Sequence, residues 1–320
     1  MKKLISLNEL SSKIFNEKSV AIFTHIRPDG DAIGSALALK CALNEKGIKA
    51  DLYIEEDIPK KYLFLIEDKD IEKQIKGEYS ALIAVDCAEE SRLGVYAEYF
   101  LKHPNTYNVD HHISNTRYAK INYVKETASN AENILELIRF GDVQPSKRIV
   151  NLLALGIVTD TGNFKHKNVT EFTLLSTALL VKYGADLNAI SYNTFNKQTK
   201  ARAKLFGLVM GKLRYFLNDK FAVATVTQKD LLEIGAKADE TEGFIDFVMG
   251  IETVEVGACV MEMGERKYKI SFRSKNADVN GVASTFGGGG HKLASGCQIQ
   301  GDYEEVIDKI TFAVSRYIEE

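Results

Sequence analysis

A chain of 320 residues, 45% hydrophobic and 27% charged, has apolar content for two cores and about twice the common domain length. That mix excludes a disordered, collagen-like or disulfide-dense small protein. A formal charge of −3 excludes coating of long nucleic acid by the overall field, and leaves open small phosphorylated ligands held by local groups.

The N-terminal segment starts basic but soon turns charged, too early for a signal peptide. Residues 20–24 (VAIFT) read as a buried strand and 32–46 as a helix stopped by Gly47. Strand-like runs recur at 50–54, 81–85 (ALIAV) and 106–109, with helical stretches at 130–140 and 146–155. This alternation predicts an α/β fold: a mostly parallel sheet with helices on both faces. The stretch at 196–214 holds six Lys or Arg and no acid, and reads as a solvated linker helix or a flank that attracts polyanions. Strands at 221–227, 254–262 and 268–273, helices at 278–286 and 303–318, and the glycine run 287–290 predict a smaller mixed α/β domain. The expected division is a catalytic domain at 1–190, a linker at 191–215 and a substrate-binding domain at 216–320, with a cleft between the domains. The four cysteines (Cys41, Cys87, Cys259, Cys297) form no CxxC pair, and no window suits a membrane span, so a reduced, cytoplasmic chain is expected.

The chemistry lies where strands end. After VAIFT stand His25, Asp29 and Asp31; after ALIAV, Asp86; after YNV, Asp110, His111 and His112; after the helical run NLLALGIV, Asp160. Each cluster alone has an ordinary reading, Asp29 as a turn residue and Asp31 as a helix cap. Four elements ending in carboxylate or imidazole at one sheet edge suit a cation instead. His25, Asp29, Asp31, Asp86, His111 and Asp160, with Asp110 and His112 in reserve, exceed what one tetrahedral zinc needs. Hard oxygen donors favour Mn²⁺ or Mg²⁺, and the histidines tilt the choice to Mn²⁺. Two ions about 3.5–4 Å apart, sharing a carboxylate and a water, are the economical interpretation. Ser35 supports the loop or reaches a phosphate. Cys87, beside Asp86, reads as a packed residue rather than a nucleophile. In the second half, Gly288, Gly289 and Gly290 would let backbone amides approach a phosphate, His291 adds a donor, and Arg273 offers a bidentate grip. The other reading of the glycines is a flexible loop.

HIRPDGDAIGS at 25–35, the isolated Asp86, DHH at 110–112 and TDTG at 159–162 resemble, in order, the four motifs of the DHH phosphoesterase superfamily. Ser271, Arg273 and Ser274, with GGGGH at 287–291 and Ala294 to Gly296, resemble its substrate domain, DHHA1. The likeness spans nearly the whole chain, and its plain length is similar to the NrnA-like subgroup. That resemblance implies a Mn²⁺-dependent phosphohydrolase. It would cleave short oligoribonucleotides to mononucleotides and dephosphorylate 3′-phosphoadenosine 5′-phosphate (pAp) by hydroxide attack at two metals. It implies His25, Asp29 and Asp86 on one ion, and Asp31, Asp86, His111 and Asp160 on the other. Asp110 would orient an imidazole, and His112 would meet the scissile phosphate or assist the leaving group. Arg273, Ser274, Gly288, Gly289, Gly290 and His291 would hold a terminal phosphate.

The implied partners are short RNA, pAp or other small nucleotides, with no membrane; a homodimer is left open. The rival enzyme reading is a cyclic-di-AMP or pApA phosphodiesterase, which a substrate panel distinguishes. The rival of another class is a nucleotide-binding sensor, whose expected lost ligand or appended output domain is not found in the sequence.

Overall fold

The computed structural model describes residues 3–318 and forms two units that divide between Lys197 and Gln198. The outermost positions of the two expected domains, 1–2 and 319–320, lie outside the described residues.

The first unit has one wholly parallel sheet of β1 (Lys3–Leu4), β2 (Ser19–Phe23), β3 (Lys49–Tyr53), β4 (Ala81–Val85), β5 (Thr106–Asp110) and β6 (Ile121–Val124). Their spatial order is β1-β6-β5-β4-β2-β3, so the winding reverses beside β2, between it and β4. Such a reversal opens a crevice outside the carboxyl ends of the two strands. The helices are α1 (Leu7–Ile14), α2 (Gly30–Glu45), α3 (Ala97–Lys102), α4 (Asn130–Phe140), α5 (Lys147–Asp160), α6 (Glu171–Lys182) and α7 (Leu187–Ser191).

Period-two alternation sorts the strand residues between two cores. Val20 and Ile22 pack with the apolar residues of α1, α2, α4 and α5, whereas Ala21 and Phe23 face an aromatic cluster with Tyr53, Tyr96, Phe100 and Tyr118. Helix α2 is buried along its first ten residues because α5 lies against it. Glycine makes that approach possible: a Cβ at Gly34 would collide with the Leu152 carbonyl of α5, and one at Gly156 would stand 2.5 Å from Asp31 Oδ1. The close crossing brings the first turn of α2 beside the last turn of α5.

The second unit contains α8 (Lys200–Met210), β7 (Arg214–Phe216), β8 (Phe221–Val226), α9 (Gln228–Ile234), α10 (Phe244–Met249), β9 (Val256–Gly264), β10 (Lys267–Ser274), α11 (Val279–Ser284), β11 (Gly289–His291), β12 (Ala294–Gln300) and α12 (Tyr303–Ser315). The sheet order is β11-β12-β10-β9-β8-β7, with only β8 and β9 parallel. One face packs on α11 and α12, the other on α8, α9 and α10.

The stretch 191–215 differs from the expected linker. Its helix α8 buries Leu205 and Val209 with Ala222, Ala224 and Phe244, and Arg202 stacks on Phe244 at 5.1 Å. Leu205 and Val209 are an i, i+4 pair that anchors the helix; Lys200 and Lys204, exposed on its outer side, mask that pair in the sequence.

Candidate active site

Four elements deliver the polar cluster to the carboxyl end of the first sheet. His25 lies two residues beyond β2. Asp29 caps α2, its Oδ1 accepting from the Asp31 and Ala32 amides at 3.1 and 3.0 Å. Its other oxygen lies 4.0 Å from His25 Nε2; the cap expected at Asp31 is thus made by Asp29, which precedes the helix, while Asp31 lies inside its first turn. Asp31 sits in the first turn of α2, fully buried. It accepts from the Asn130 and Ala131 amides at the start of α4, at 2.5 and 2.9 Å, and from Ser35 Oγ at 3.0 Å. Ser35 therefore supports a carboxylate. Asp86 follows β4 in the left-handed region (φ +54°), an uncommon conformation for a residue with a side chain and one often found at functional positions. Asp160 closes α5.

The imidazoles are aimed by their second nitrogens. His111 Nδ1 meets the Thr127 carbonyl at 3.0 Å, and His25 Nδ1 meets the Ile26 carbonyl at 2.8 Å. A carbonyl only accepts, so for His111 this pairing assigns the proton to Nδ1 and leaves the Nε2 lone pair facing the carboxylates; His25 Nδ1 also has the Arg92 guanidinium at 3.0 Å, a donor that favours the opposite tautomer. His111 Nε2 stands 3.4 Å from Asp86, 3.5 Å from Asp160 and 3.9 Å from Asp31; His25 Nε2 is 3.7 Å from Asp86. Ligand atoms gather within 4.8 Å of one another in three groups: His25, Asp29 and Asp86; Asp31, His111 and Asp160; and Asp86, His111 and His112.

The carboxylates are poorly compensated by the protein alone. Burial, and then the charges of Asp31, Asp29 and Asp160, push Asp86 well above the usual carboxylate range. Burial also raises Asp31, and burial followed by repulsion from Asp31 and Asp29 lifts Asp160 to about 9. Asp86 Oδ1 is buried with no hydrogen-bond partner. An orphaned buried oxygen among mutually repelling carboxylates, with the His111 lone pair turned toward them, fits a divalent-cation site.

Asp110 is arranged differently. Burial works to raise its pKa, but hydrogen bonds from His112 Nδ1 (2.8 Å), Asn115 Nδ2 (2.5 Å) and the His111 amide (2.9 Å) together hold it below the usual value. The Asp110 hydrogen bond in turn raises His112, whose ring is about a third exposed. Asp110 thus favours the protonated form of His112 at the edge of the cluster. Burial raises the Cys87 thiol to about 11, so it stays neutral and is no nucleophile at neutral pH.

In the second unit, Arg273 of β10 pairs with Ala294 of β12, and Ala294 with His291 of β11. Arg273 and His291 therefore share one row across three strands, separated by a small residue, about 10 Å apart at two strand spacings. Ser274 follows Arg273 and is half-buried. The second half of the glycine run is strand rather than loop, in Gly289–His291, whereas Gly287, in a turn, and Gly288 lead into it. A Cβ at Gly288 would collide with the Gly296 carbonyl, and one at Gly290 would come within 2.6 Å of the Ala294 carbonyl, so these two glycines serve the close hairpin. Gly289 is exposed, with only Asn280 Oδ1 near its missing Cβ.

Sequence reasoning missed Asn115 and Arg92. Asn115 bridges Asp110 and Asn108; Arg92 Nη2 lies 3.0 Å from His25 Nδ1 and competes with the Ile26 contact. Asn115 falls five residues after Asp110, a weak signal, and nothing in the sequence singles out Arg92.

Residues 19–157 match the DHH family, N-terminal domain, and residues 218–320 match the DHHA1 domain. Over 308 residues the chain is 31% identical to a Thermus thermophilus protein described as "Bifunctional oligoribonuclease and PAP phosphatase NrnA", covering 93% of this chain and 90% of that one. An exopolyphosphatase-related protein from Bacteroides fragilis has a similar structure, with a TM-score of 0.83 at 24% identity over 97% of this chain and 96% of that one. The exonuclease RecJ bound to manganese follows at a TM-score of 0.54 and 13% identity, over 99% and 96%. Both structural likenesses concern the fold.

Proposed function

This chain belongs to the DHH/DHHA1 family and is a metal-dependent phosphoesterase, and we propose that it hydrolyses short oligoribonucleotides and removes the 3′-phosphate of pAp. The observation that carries the reading is the orphaned Asp86 Oδ1 at the centre of the His and Asp cluster, in a chain alike over nine-tenths of its length to an oligoribonuclease and pAp phosphatase.

In this reading His25, Asp29 and Asp86 hold one divalent ion, and Asp31, Asp86, His111 and Asp160 hold the other, with Asp86 shared. Mn²⁺ suits the mixed oxygen and imidazole donors, and RecJ carries manganese on the same fold; Mg²⁺ is the alternative ion. Bound ions of this kind neutralise phosphoryl charge and lower the pKa of water toward neutrality. The rest falls to the chain. The α4 amides fix Asp31, Thr127 fixes His111, Ile26 and Arg92 both hold His25 by Nδ1, and Asp110, itself held by Asn115, orients His112 and favours its protonated form. His112 Nε2 then donates to a phosphoryl oxygen or to the departing oxygen. Arg273, Ser274, Gly288, Gly289, Gly290 and His291 are proposed to grip a substrate phosphate, with Arg273 and His291 closing on it from either side of Ala294. Gly288 and Gly290 contribute by keeping the hairpin close, Gly289 by its exposed position on the edge strand.

The test is turnover with Mn²⁺ on pAp, RNA of two to five residues, pApA and cyclic-di-AMP, side by side. Fast cleavage of pAp and the short RNAs, with cyclic-di-AMP spared, is expected. Preference for cyclic-di-AMP or pApA would replace the proposed substrates with second-messenger nucleotides, and silence on all four with Mn²⁺ bound would favour a sensor.

A further inference from the structure

Helix α6 carries its polarity the wrong way round for a surface helix. A helix on a globular unit normally turns its apolar stripe inward. Here Thr173, Ser176, Thr177 and Leu180 face in, while Leu174 is 55%, Leu175 61% and Val181 47% exposed, with Ala178 exposed between them. The inward threonine hydroxyls are satisfied locally: Thr173 Oγ1 meets Thr170 Oγ1 at 3.1 Å, and Thr177 Oγ1 donates to the Thr173 carbonyl at 2.8 Å. The buried face is therefore stable as it stands, and the outer face is what lacks a cover. At 100° per residue, positions 174, 175, 178 and 181 fall on one stripe. Single exposed leucines are ordinary; a contiguous stripe is a contact surface.

The ends of the helix indicate what covers it. Glu171 opens it and Lys182 closes it; both are exposed, and among the described residues neither has an ion-pair partner. They lie on the same stripe, three turns and about 16 Å apart. A parallel neighbour of the same kind would oppose like charges. An antiparallel copy sets Glu171 against the partner's Lys182 at both ends, with the leucines meeting in the middle.

We propose that α6 is a self-association surface, on which a second copy of this chain docks antiparallel about a two-fold axis. The contact is isologous, so each charged end is used twice. The two stripes with their flanking stems cover on the order of 1,000 Å² in total, the low end for a specific interface. Association is accordingly reversible and concentration-dependent.

Sedimentation velocity of the full chain across a broad concentration series reads this directly. The wild type should shift from monomer to dimer as concentration rises. Leu175→Lys, at an exposed position that leaves the fold intact by circular dichroism, should stay monomeric. Glu171→Lys and Lys182→Glu alone should each weaken association about tenfold, because each places like charges at both ends. The combined Glu171→Lys/Lys182→Glu variant should regain it. That recovery cannot come from the helix itself, because the double swap opposes the helix dipole at both termini. A wild type that is monomeric throughout, a dimer indifferent to Leu175→Lys, or a combined variant weaker than either single one would overturn the proposal.

Discussion

Replacing Gly156 with alanine puts one methyl group where α5 meets α2 and α4. Its Cβ would stand 2.5 Å from Asp31 Oδ1 and 2.7 Å from Ala131 Cβ. Ordinary carbon contacts run to about 3.5–4.0 Å, so the helices must part by roughly 1 Å. Glycine to alanine in an exposed helix stabilises by about 1 kcal/mol, whereas overpacking a close interface costs about 1–3 kcal/mol. The expected result is a net loss of up to about 2 kcal/mol. Activity suffers more, because the displaced carboxylate faces His111, and Asp160 lies four residues along the helix that moves. A displacement of that size among reacting groups lowers turnover by about 100-fold. Gly207→Ala in α8 is the control: a Cβ there meets nothing within 4 Å, so it should stabilise by about 1 kcal/mol with activity unchanged. Urea unfolding and Mn²⁺-supported turnover of both variants decide the matter. A Gly156→Ala protein as stable and active as Gly207→Ala would refute the argument that this glycine sets the distance between Asp31 and Asp160.

Two further outcomes follow from the electrostatics. In metal-free protein, Asp31, Asp86 and Asp160 have raised pKa values, Asp160 to about 9, so the folded state holds more protons than the unfolded chain above about pH 4. Stability therefore falls as pH rises from about 4 to 9; His112, also raised, adds to the fall, while burial-lowered His25 opposes it. The Tm of chelator-treated protein should drop across that range and recover with Mn²⁺ at the alkaline end; a flat or rising profile without metal contradicts the cluster's electrostatics. Asn115→Ala removes a hydrogen bond from Asp110, so Asp110 rises, its less neutralised carboxylate holds the His112 proton more tightly, His112 titrates higher, and turnover falls about 10–100-fold. NMR titration of His112 alongside kcat checks this, and an unmoved His112 would exclude Asn115 as its indirect support.

The core of the fold was legible because buried parallel strands are short apolar runs, and polar residues placed just beyond them lie at one edge whatever the remaining topology. ALIAV at Ala81–Val85 and the helix at Asn130–Phe140 were read to the residue. Strand β6 was not, because three of its four residues are only half-buried and the buried one is the polar Asn122, and β12 was hidden by Gly296 and by glutamines on its exposed side. The linker reading failed at α8 because cations on its outer side obscure the Leu205 and Val209 anchors. Within the candidate site, residue types singled out the side chains that cluster. The aim of each donor depends on partners far along the chain: Asp31 on amides about 100 positions away, His111 on Thr127, His25 near Arg92. Such pairings arise from the helix crossing and the sheet order, which spacing does not encode.

The central claim is that this cluster holds two divalent ions that share Asp86. Mn²⁺ titration followed by electron paramagnetic resonance measures it most directly. The account predicts two ions per chain, magnetically coupled in the wild type, with the coupling and at least one ion lost in a folded Asp86→Ala protein. A single isolated ion in the wild type, or a coupled pair that persists without Asp86, would contradict it.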